Sequence, residues 1–506
     1  MNLGDIPRRN ARRYPRKPAL VFGDVRLAWG EVNERVNRFA NGLAARGVAR
    51  GDRVAILAQN DHRYLETYWA LAKLGAIAVP LNYRLLEREL SVLLDHSTPV
   101  ALVAGRGYEE TARRLGVERV ICFDGDYEGL LAAAPAHEPE RGVGAGDPFA
   151  IMYTSGTTGL PKGALVTHGN LESNVYNQAI ADKADPADVN LVATPLYHMG
   201  ALFMATTYTC LGCTNVVLES FEEALVLGAI AEERATTCLL VPTMLNRVLN
   251  HPDLESYDLR SLRLIFYGGS TIPVPVLRTA IDVFGCSFTQ GYGLTETIEA
   301  TFLTADDHVL DGDPERERRL ASAGREAVNA EVRILDDSAR ELPAGEIGEI
   351  VIRSPSVIPS YWQAPEETRE AIRDGWFITG DVGYRDDDGY LFVVDRKKDV
   401  IISGGLNVYP KEVEEALYGH PAVLEAAVIG LPDDAWGEAV TAVVVLREGH
   451  DANERDLIAH CGERVAGFKK PKSVTFVDAL PRNPSGKVLK RELREQSGGA
   501  LAGSPT

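Results

Sequence analysis

The stretch Tyr153-Thr-Ser-Gly-Thr-Thr-Gly-Leu-Pro-Lys-Gly163 lies between two short apolar runs, at 149–152 and 164–166. Apolar runs of this length indicate strands, so the stretch is predicted to be a loop that joins two strands. Its glycines let backbone N–H groups turn toward a ligand, its hydroxyls donate hydrogen bonds, and its lysine supplies positive charge. These features favour a phosphate-binding loop over a plain glycine turn, although the spacing is not that of a Walker A loop.

Outward from this loop, helical periodicity alternates with short β-branched runs, which is typical of an α/β fold. Helices are predicted at Trp29–Arg46 and Tyr64–Leu74, and strands at Arg53–Leu57 and Ala76–Pro80. Further strands are predicted at Thr237–Val241, Leu262–Tyr267, Val332–Leu335 and Ile347–Arg353. This order predicts a large N-terminal domain of stacked α/β subdomains.

A change of composition near residues 385–405 precedes a compact pattern of short elements. Helices are predicted at Pro410–Tyr418 and Glu454–Arg464, and strands at Val423–Ile429, Val440–Leu446 and Ser473–Phe476. A segment of about 110 residues is a normal size for a small α+β domain. We therefore predict a large domain at 1–397 and a small, mobile domain at 398–506, with a frayed tail from about Gln496.

The charge balance limits the partners of this chain. Asp and Glu number 72 and Lys and Arg 53, which gives a net charge of −19. Such an acidic chain is a poor candidate for sequence-independent nucleic-acid binding, which needs a clustered basic surface. A cytoplasmic protein is the default prediction.

Two further patterns are predicted to belong to the core. The stretch Val189–Leu218 has no charged residue, but Pro195 and Gly212 interrupt it, so it predicts a buried helix and a buried strand instead of a membrane span. Cys210 and Cys213 form a single C-x-x-C without a second Cys/His pair nearby. They are predicted to be small core residues in preference to a zinc or redox site.

Five motifs follow the loop in order along the chain. They are Gln290-Gly-Tyr-Gly-Leu-Thr-Glu296, Trp376-Phe-Ile-Thr-Gly-Asp381, Asp395-Arg-Lys-Lys-Asp399, Ser403-Gly-Gly405 with Tyr409-Pro410, and Pro484-Ser-Gly-Lys487. Together with the loop they resemble the signature motifs of the adenylate-forming superfamily, which contains acyl-CoA synthetases, adenylation domains of peptide synthetases and beetle-type luciferases. The resemblance covers nearly the whole chain. It implies an enzyme that uses ATP and Mg²⁺ to convert a carboxylic acid into an acyl-adenylate and pyrophosphate.

The resemblance also implies a role for each motif residue in ATP binding. The β- and γ-phosphates are expected to lie against the loop residues Thr154, Ser155, Gly156, Thr157, Thr158, Gly159 and Lys162. Thr295 is expected to donate to the α-phosphate, and Glu296 to bind Mg²⁺, a cation that prefers carboxylate and phosphate oxygens. The adenine is expected near Gly269, Ser270, Gly291, Tyr292 and Gly293, with the Tyr292 ring against its face. Asp381 is expected to accept from the ribose hydroxyls, and Arg396 to add a donor.

Two lysines are expected to act through movement of the small domain. By resemblance, Lys487 binds the substrate carboxylate and the α-phosphate, which positions the nucleophile and neutralises charge in the transition state. Lys398 falls where the family places its hinge, about which the small domain rotates between the two half-reactions. The alternative for each is an ordinary solvated lysine.

The acceptor in the second half-reaction is predicted to be CoA. Gly404 and Gly405 would let a pantetheine arm pass close to the backbone. Phe468, Lys470 and Lys472 lie where CoA ligases of this superfamily carry groups for the CoA nucleotide. A solvated basic turn is the alternative for these residues. An amine or a carrier protein is the alternative acceptor, and a homodimer is also compatible with the resemblance.

The acid is predicted to be a medium- or long-chain or an aryl acid. The pocket is expected to consist of Tyr197-His198-Met199, the apolar helix that follows, and Gly291, whose lack of a side chain would leave room for a tail. His198 is predicted to be an aromatic gate, with a structural histidine as the alternative. No carboxylate accompanies His198 to pair with an α-ammonium group, which disfavours an amino acid. Glu299 is expected to point away from the pocket.

A catalytically inactive relative is disfavoured because such a protein is expected to lose the reactive lysine or the Mg²⁺ ligand, and this chain has both Lys487 and Glu296. A luciferase-like oxygenase is disfavoured because the chain ends in Ser-Pro-Thr in place of the peroxisomal Ser-Lys-Leu.

Replacing Lys487 with alanine is expected to separate the two half-reactions. Lys487→Ala should abolish acyl-adenylate formation, measured as pyrophosphate release, because the charge that positions the two anions is lost. The same variant should still convert a synthetic acyl-adenylate and the thiol acceptor into thioester. Equal loss of both activities would contradict the split role.

Overall fold

The computed structural model describes residues 2–139, 142–154, 161–270, 272–433, 435–482 and 488–501. Its α-helices are α1 Asp5–Arg13, α2 Trp29–Ala45, α3 His62–Leu74, α4 Glu87–Ser97, α5 Glu109–Arg114, α6 Glu128–Ala133, α7 His168–Ala181, α8 Met199–Leu211, α9 Glu223–Glu233, α10 Pro242–Leu249, α11 Val274–Phe284, α12 Pro314–Arg318, α13 Pro365–Ala371, α14 Pro410–Tyr418, α15 Glu454–Gly462 and α16 Lys490–Leu501.

The strands are mostly short, and they form four sheets. In chain order they are β1 Pro18–Phe22, β2 Val25–Ala28, β3 Arg53–Leu57, β4 Ile77–Pro80, β5 Ala101–Ala104, β6 Val120–Cys122, β7 Pro148–Thr154, β8 Lys162–Thr167, β9 Val189–Val192, β10 Thr214–Val217, β11 Thr237–Leu239, β12 Leu264–Gly268, β13 Ser287–Leu294, β14 Ile298–Leu303, β15 Arg325–Glu326, β16 Glu331–Leu335, β17 Gly348–Arg353, β18 Ser360–Tyr361, β19 Ile372–Arg373, β20 Trp376–Arg385, β21 Leu391–Arg396, β22 Ile401–Ser403, β23 Leu406–Val408, β24 Val423–Asp433, β25 Gly437–Leu446 and β26 Ser473–Phe476.

The two largest sheets are mostly parallel, with antiparallel strands at both edges of one and at the β18 edge of the other. The nine-stranded sheet has the order β15-β14-β13-β12-β11-β9-β10-β1-β2, and its strands from β13 to β1 are parallel. The seven-stranded sheet has the order β18-β8-β7-β4-β3-β5-β6, and its strands from β7 to β6 are parallel. Strands β4, β5 and β10 are buried at every position, as expected for a parallel sheet that is covered on both faces.

Local sequence signals explain where several helices begin and end. The Asp61 side chain accepts from the backbone N–H of Arg63 at 2.8 Å and caps α3, which Gly75 ends in the left-handed conformation at φ 69°. Thr167 and Asn170 form a reciprocal cap at the start of α7. Because caps satisfy otherwise unpaired backbone groups, the ends of these helices are fixed by residues within one turn.

The chain divides into two compact units. The first contains residues 1–271, 278–332 and 352–378, with both large sheets. The second contains 272–277, 333–351 and 379–506, and its own sheet has the order β23-β22-β25-β24, with β26 on β25. The remaining five-stranded sheet, β16-β17-β20-β19 with β21 on β20, is divided between the two units within its strands. The α/β fold with a smaller C-terminal domain is confirmed, whereas the boundary at residue 398 stays a prediction.

The core of the second unit contains the predicted C-terminal elements. Helix α14 packs with α15 on one face of the β22–β25 sheet, around buried Val413, Leu417, Val428 and Leu457. On the other face, Leu493 of α16 packs with Ile429, Leu431 and Val443. Helix α16 continues to Leu501, so the backbone stays regular beyond Gln496, where the sequence predicted the frayed tail to begin.

The uncharged stretch at 189–218 contains buried α8 and buried β10, as predicted. Cys210 and Cys213 are free thiols in the same region, and the described residues contain no cluster of His, Cys, Asp or Glu suited to a metal ion. Across the described ranges, every helix is too short or too polar to cross a bilayer.

Alanine at Gly324 is expected to destabilise the protein more than alanine at Gly47. Both glycines have positive φ, 76° and 87°, and alanine in this conformation costs about 1–3 kcal/mol. A Cβ at Gly324 would also lie 2.0 Å from the carbonyl carbon and oxygen of Phe302, whereas one at Gly47 would meet nothing within 4 Å. Displacing that backbone should cost about another 1–3 kcal/mol. Thermal unfolding at one scan rate tests this order, and equal midpoints for the two variants would contradict it.

Candidate active site

The residues predicted to surround the adenine lie at the carboxyl ends of β12 and β13. These two strands are parallel neighbours, with Gly268 paired with Gly291, so the residues after both strands meet at one edge. Carboxyl edges of parallel strands are the usual place for ligands in α/β sheets. A Cβ at Gly268 would lie 2.7 Å from the carbonyl oxygen of Gly291, which shows that these strands approach too closely for a side chain. Gly269 follows with φ 76°, and Ser270 is exposed.

The turn between β13 and β14 holds Thr295 and Glu296. Thr297 fixes this turn, since its Oγ1 accepts from the Leu294 N–H at 2.9 Å and donates to the Ile298 carbonyl at 2.9 Å. The turn is tight because Gly293 lies against the backbone of Ile298, where a Cβ would be 1.6 Å from the carbonyl oxygen. The glycines of the motif are therefore required by close backbone packing as well as by any ligand.

The Glu296 carboxylate joins the edges of the two large sheets. The Tyr361 hydroxyl donates to Glu296 Oε1 at 2.9 Å, and Thr154 Oγ1 lies 3.4 Å from the same oxygen. Burial, and then the nearby Glu296 carboxylate, raise the pKa of Tyr361 above its ordinary value, so the phenol keeps its proton as a donor. Lys162 places its Nζ 5.4 Å from the centre of the Tyr361 ring.

Sequence reasoning did not single out Tyr361. It lies in β18, a two-residue strand that pairs with β8 beside the signature loop, with Tyr361 opposite Ala164. The Ile358 N–H also donates to the Glu296 carbonyl at 2.8 Å. Tyr361 is 65 residues from Glu296 in the chain, so no local pattern marks it.

Ser155, Gly156, Thr157, Thr158 and Gly159 lie outside the described residues, as does Lys487, so their roles stay predictions. The flanking residues Thr154 and Lys162 end β7 and begin β8, which confirms that the stretch joins two strands.

In the second unit, Asp381 and Arg396 form an ion pair on neighbouring antiparallel strands. Arg396 Nε lies 2.7 Å from Asp381 Oδ1, and its Nη1 donates to the Thr379 carbonyl at 3.2 Å. The Asp381 side chain is 6% exposed, so the guanidinium fixes a nearly buried carboxylate. Both residues were predicted at the ribose, and the structure brings them together.

The predicted hinge residue Lys398 is exposed, while both of its neighbours are held by ion pairs. Lys397 lies 3.0 Å from Glu349, and Asp399 lies 2.9 Å from Arg494. The backbone on either side of Lys398 is therefore anchored within the second unit.

Of the residues predicted to bind CoA, Gly404 and Lys472 both lie beside Trp436, whereas Phe468 and Lys470 make other contacts. Gly404 and Gly405 form a turn with φ of 60° and 77°, and a Cβ at Gly404 would lie 3.0 Å from the Trp436 ring. Lys472 places its Nζ 4.3 Å from the centre of the same ring. Trp436 has an exposed fraction of 44%. The sequence did not indicate this residue, because its place beside the Gly404 turn depends on the fold.

The basic turn before Lys472 makes separate contacts. Phe468 packs against the core of its own unit. The Lys470 side chain lies beside Gly462, since its Cδ is 3.8 Å from the position that a Cβ on Gly462 would have. The intervening Lys469 forms an ion pair with Glu412 at 2.7 Å.

His198 occupies the N-cap position of α8 without a capping hydrogen bond from its side chain, and most residues of that helix are buried. Its ring lies 4.3 Å from the ring of Tyr197, and its Nε2 is buried without a hydrogen-bond partner among the described residues. Burial, with a smaller contribution from the Arg84 guanidinium, lowers the pKa of His198 to about 4. The imidazole is therefore neutral at pH 7 and can accept or donate one hydrogen bond.

Two expectations about the acyl pocket are wrong. Glu299 was expected to point away, yet its carboxyl lies against Gly291, with Oε2 at 2.7 Å from where a Cβ would be. The Phe266 ring lies 2.6 Å from the same point, so protein side chains fill the space that the glycine was expected to leave for a tail. A register shift at Tyr292/Gly293 lies in this strand pair, and such bulges re-aim side chains.

The sequence matches the AMP-binding enzyme family over residues 7–362, and the C-terminal domain of AMP-binding enzymes over residues 412–487. The chain belongs to the AMP-binding enzyme family. This confirms the resemblance to adenylate-forming enzymes, the α/β fold class and the prediction of an AMP-forming acid–thiol ligase.

Three relatives extend over nearly the whole chain. A feruloyl-CoA synthase of Amycolatopsis sp is 43% identical over 497 residues, which are 98% of this chain and 99% of that protein. A fatty acid–[acyl-carrier-protein] ligase of Streptomyces coeruleorubidus is 36% identical, over 97% of this chain and 96% of that protein. The crystal structure of ATP-bound MatB from Rhodopseudomonas palustris is similar with a TM-score of 0.89 and 34% identity, over 99% of this chain and 100% of that one.

Tyr361→Phe is expected to lower adenylate formation by about tenfold or more and to raise the Mg²⁺ concentration that the enzyme needs. A hydrogen bond to a charged group contributes about 1.5–3 kcal/mol, and its loss frees the Glu296 carboxylate to move. Initial rates of pyrophosphate release against Mg²⁺ concentration measure this effect.

The matched control is Tyr127→Phe, because the Tyr127 hydroxyl likewise donates to a buried glutamate, Glu66, at 2.8 Å. The control should lose stability but keep its Mg²⁺ dependence. A similar change of Mg²⁺ dependence in both variants would assign Tyr361 a purely structural role.

Proposed function

We propose that this chain converts an aromatic carboxylic acid of the hydroxycinnamate kind into its CoA thioester through an acyl-adenylate. The observation that carries the proposal is the 43% identity, over 98% of this chain, to a feruloyl-CoA synthase. The apolar helix α8 beside His198 is compatible with an aryl acid, because pockets for such tails are lined mostly by apolar side chains.

In the first half-reaction, the substrate carboxylate attacks the α-phosphorus of ATP, and pyrophosphate leaves with the electrons of the broken P–O bond. Thr295, at the end of β13, is proposed to donate to the α-phosphate. Residues 154–162 are proposed to bind the leaving pyrophosphate, and Lys487 to hold the two anions together. Charge neutralisation of this kind stabilises the transition state more than the ground state, because charge develops on the transferred group.

Mg²⁺ is proposed to bind at Glu296. The residues that meet there, Glu296, Thr154 and Tyr361, present oxygen atoms only, which is the donor set that this hard cation prefers. The metal, when bound, neutralises phosphate charge. The Tyr361 hydroxyl holds one carboxylate oxygen in a fixed direction.

The motif glycines and the Asp381 carboxylate are proposed to bind the nucleoside. Gly269, Ser270, Gly291, Tyr292 and Gly293 are proposed to surround the adenine. Asp381 is proposed to accept from the ribose hydroxyls, with its direction fixed by Arg396. His198, a neutral imidazole, is proposed to close the acyl pocket as a gate.

In the second half-reaction, a thiolate attacks the acyl carbonyl, and AMP leaves. CoA is the proposed thiol. The turn at Gly404 and Gly405, with Trp436 and Lys472 beside it, is proposed to contact the pantetheine arm or the nucleotide of CoA, together with Phe468 and Lys470. A carrier-protein thiol is the second candidate, because one full-length relative is an acyl-carrier-protein ligase. An amine acceptor is the third.

Domain rotation is proposed to bring these two sets of groups to the adenylate in turn, with the boundary at 397/398 and Lys398 as the hinge. Lys398 lies in the short turn between β21 and β22, and such positions at the ends of elements can absorb the change of φ and ψ that a hinge requires. A cytoplasmic location, a homodimer and the lack of a nucleic-acid partner stay predictions.

A panel of acids tests the proposed function. Purified enzyme with ATP and Mg²⁺ is given fatty acids from C2 to C18 and aryl acids that include ferulic acid, each alone, with CoA, or with a phosphopantetheinylated carrier protein. Mass spectrometry is expected to detect aryl-CoA as the main product, formed only when CoA is present. The control omits Mg²⁺ and adds a chelator. Preferred turnover of fatty acids would contradict the aryl proposal, and accumulation of adenylate despite CoA would contradict the CoA proposal.

A further inference from the structure

Glu299 is a buried carboxyl that no element of the ATP or thiol chemistry uses. Its Oε2 is fully buried and has no hydrogen-bond partner within the described ranges, although the residue as a whole keeps partial exposure. Part of the residue is therefore accessible to solvent, whereas this oxygen is not.

Two elements lie against this carboxyl, and a third binds the backbone of Glu299. From β13, Gly291 contributes only backbone, and from β12, Phe266 contributes an apolar ring. From α7, Asn174 is bound by its Nδ2 to the Glu299 carbonyl oxygen at 2.9 Å, and its own Oδ1 is buried without a described partner. An acid in such surroundings receives no compensation from the protein itself.

Leaving a buried polar group unpaired is costly, about 1–3 kcal/mol for a neutral group and more for a charge. Burial is the one cause that raises the pKa of Glu299, to about 8, and no cation of the described part of the chain contributes. At pH 7 most molecules therefore carry a neutral carboxylic acid, which can donate one hydrogen bond and accept another. An unsatisfied group of this kind, beside a residue predicted to line the acyl pocket, indicates a partner that arrives with the ligand.

The direction of the side chain is a consequence of the strand pairing. Gly293 is opposite Glu299, and the shift of register between Tyr292 and Gly293 brings the Glu299 carboxyl back to Gly291. Ile298, which precedes Glu299, has φ 52°, a conformation that is unfavourable for a β-branched residue. The chain thus tolerates local strain at the residue next to Glu299.

We infer that Glu299 determines specificity by hydrogen bonding to a hydroxyl group on the aromatic ring of the acid. The inference rests on the proposed function, since it needs an aryl acid whose ring reaches Glu299. The hydroxyl of the acid pairs with the buried Oε2 of Glu299. An aliphatic tail would leave that oxygen unpaired, and the carboxyl could not balance the charge of an anionic tail. Sites that hydrogen-bond a substrate hydroxyl discriminate strongly against analogues that lack it, because the protein group is then left unsatisfied.

The test compares two acids that differ by one hydroxyl, 4-hydroxycinnamic acid and cinnamic acid, on the wild-type enzyme and on three variants. Wild type is expected to favour the hydroxylated acid in kcat/KM by about tenfold or more. Glu299→Leu should reduce that ratio to about one and leave the kcat/KM for cinnamic acid unchanged or higher. Glu299→Gln keeps a donor and an acceptor, so its preference for the hydroxylated acid should lie between that of wild type and that of Glu299→Leu.

The matched control is Glu66→Gln, a change at a fully buried glutamate of α3 that is ion-paired with Arg35 at 2.9 Å. Its stability should fall while its preference between the two acids stays that of wild type. The melting temperature of Glu299→Leu should not fall, because the substitution removes an unsatisfied buried group. If this variant does not fold, Glu299→Gln and Glu299→Met serve in its place.

The outcomes separate the two proposals. A preference that is unchanged in Glu299→Leu overturns the role of Glu299 and leaves the proposed function intact. Complete loss of the preference in Glu299→Gln overturns recognition by a neutral acid. Failure of the wild-type enzyme to convert either cinnamic acid, while it converts fatty acids, overturns the proposed function and this inference with it.

Discussion

The hydrogen bond from Tyr361 to Glu296 joins the edges of the two large sheets, and the geometry of the candidate site depends on it. The seven-stranded sheet supplies Tyr361 and Thr154, and the nine-stranded sheet supplies Glu296. A site that must hold a triphosphate beside a carboxylate needs its charged groups fixed before the ligands arrive, because reorganisation would reduce the benefit. The short strand β18 holds Tyr361 in this position by pairing antiparallel with β8.

Buried polar groups in the larger unit fall into two kinds. Some are satisfied, as at Lys73, whose ammonium is bound by Asn33, Asn37 and Glu138. Others are buried without described partners, and they include Gln178 Oε1 and Asn190 Oδ1 as well as Glu299 Oε2. The lack of a partner therefore does not by itself mark a ligand site, and at Glu299 the position of the carboxyl beside Gly291 is the second observation.

Much of the fold follows from local patterns. Helix α14 and strand β26 have the predicted bounds, and α2 and β3 differ from their predictions by at most one residue. The prediction at β24 was too short: the strand continues to Asp433, because the hairpin with β25 extends the pairing through Pro432 and beyond the apolar run. Periodicity marks which residues are buried, but it does not record how far two strands stay paired.

The sequence by itself determined the order of the elements and the set of motif residues, including Thr154, Glu296, Asp381 and Arg396. Those follow from residue type and spacing, which act over a few residues. Only the tertiary structure decided that Tyr361 meets Glu296, and that the Glu299 carboxyl lies against Gly291. The physical reason is that pairing between distant strands, and one shift in their register, fix the direction in which each side chain points.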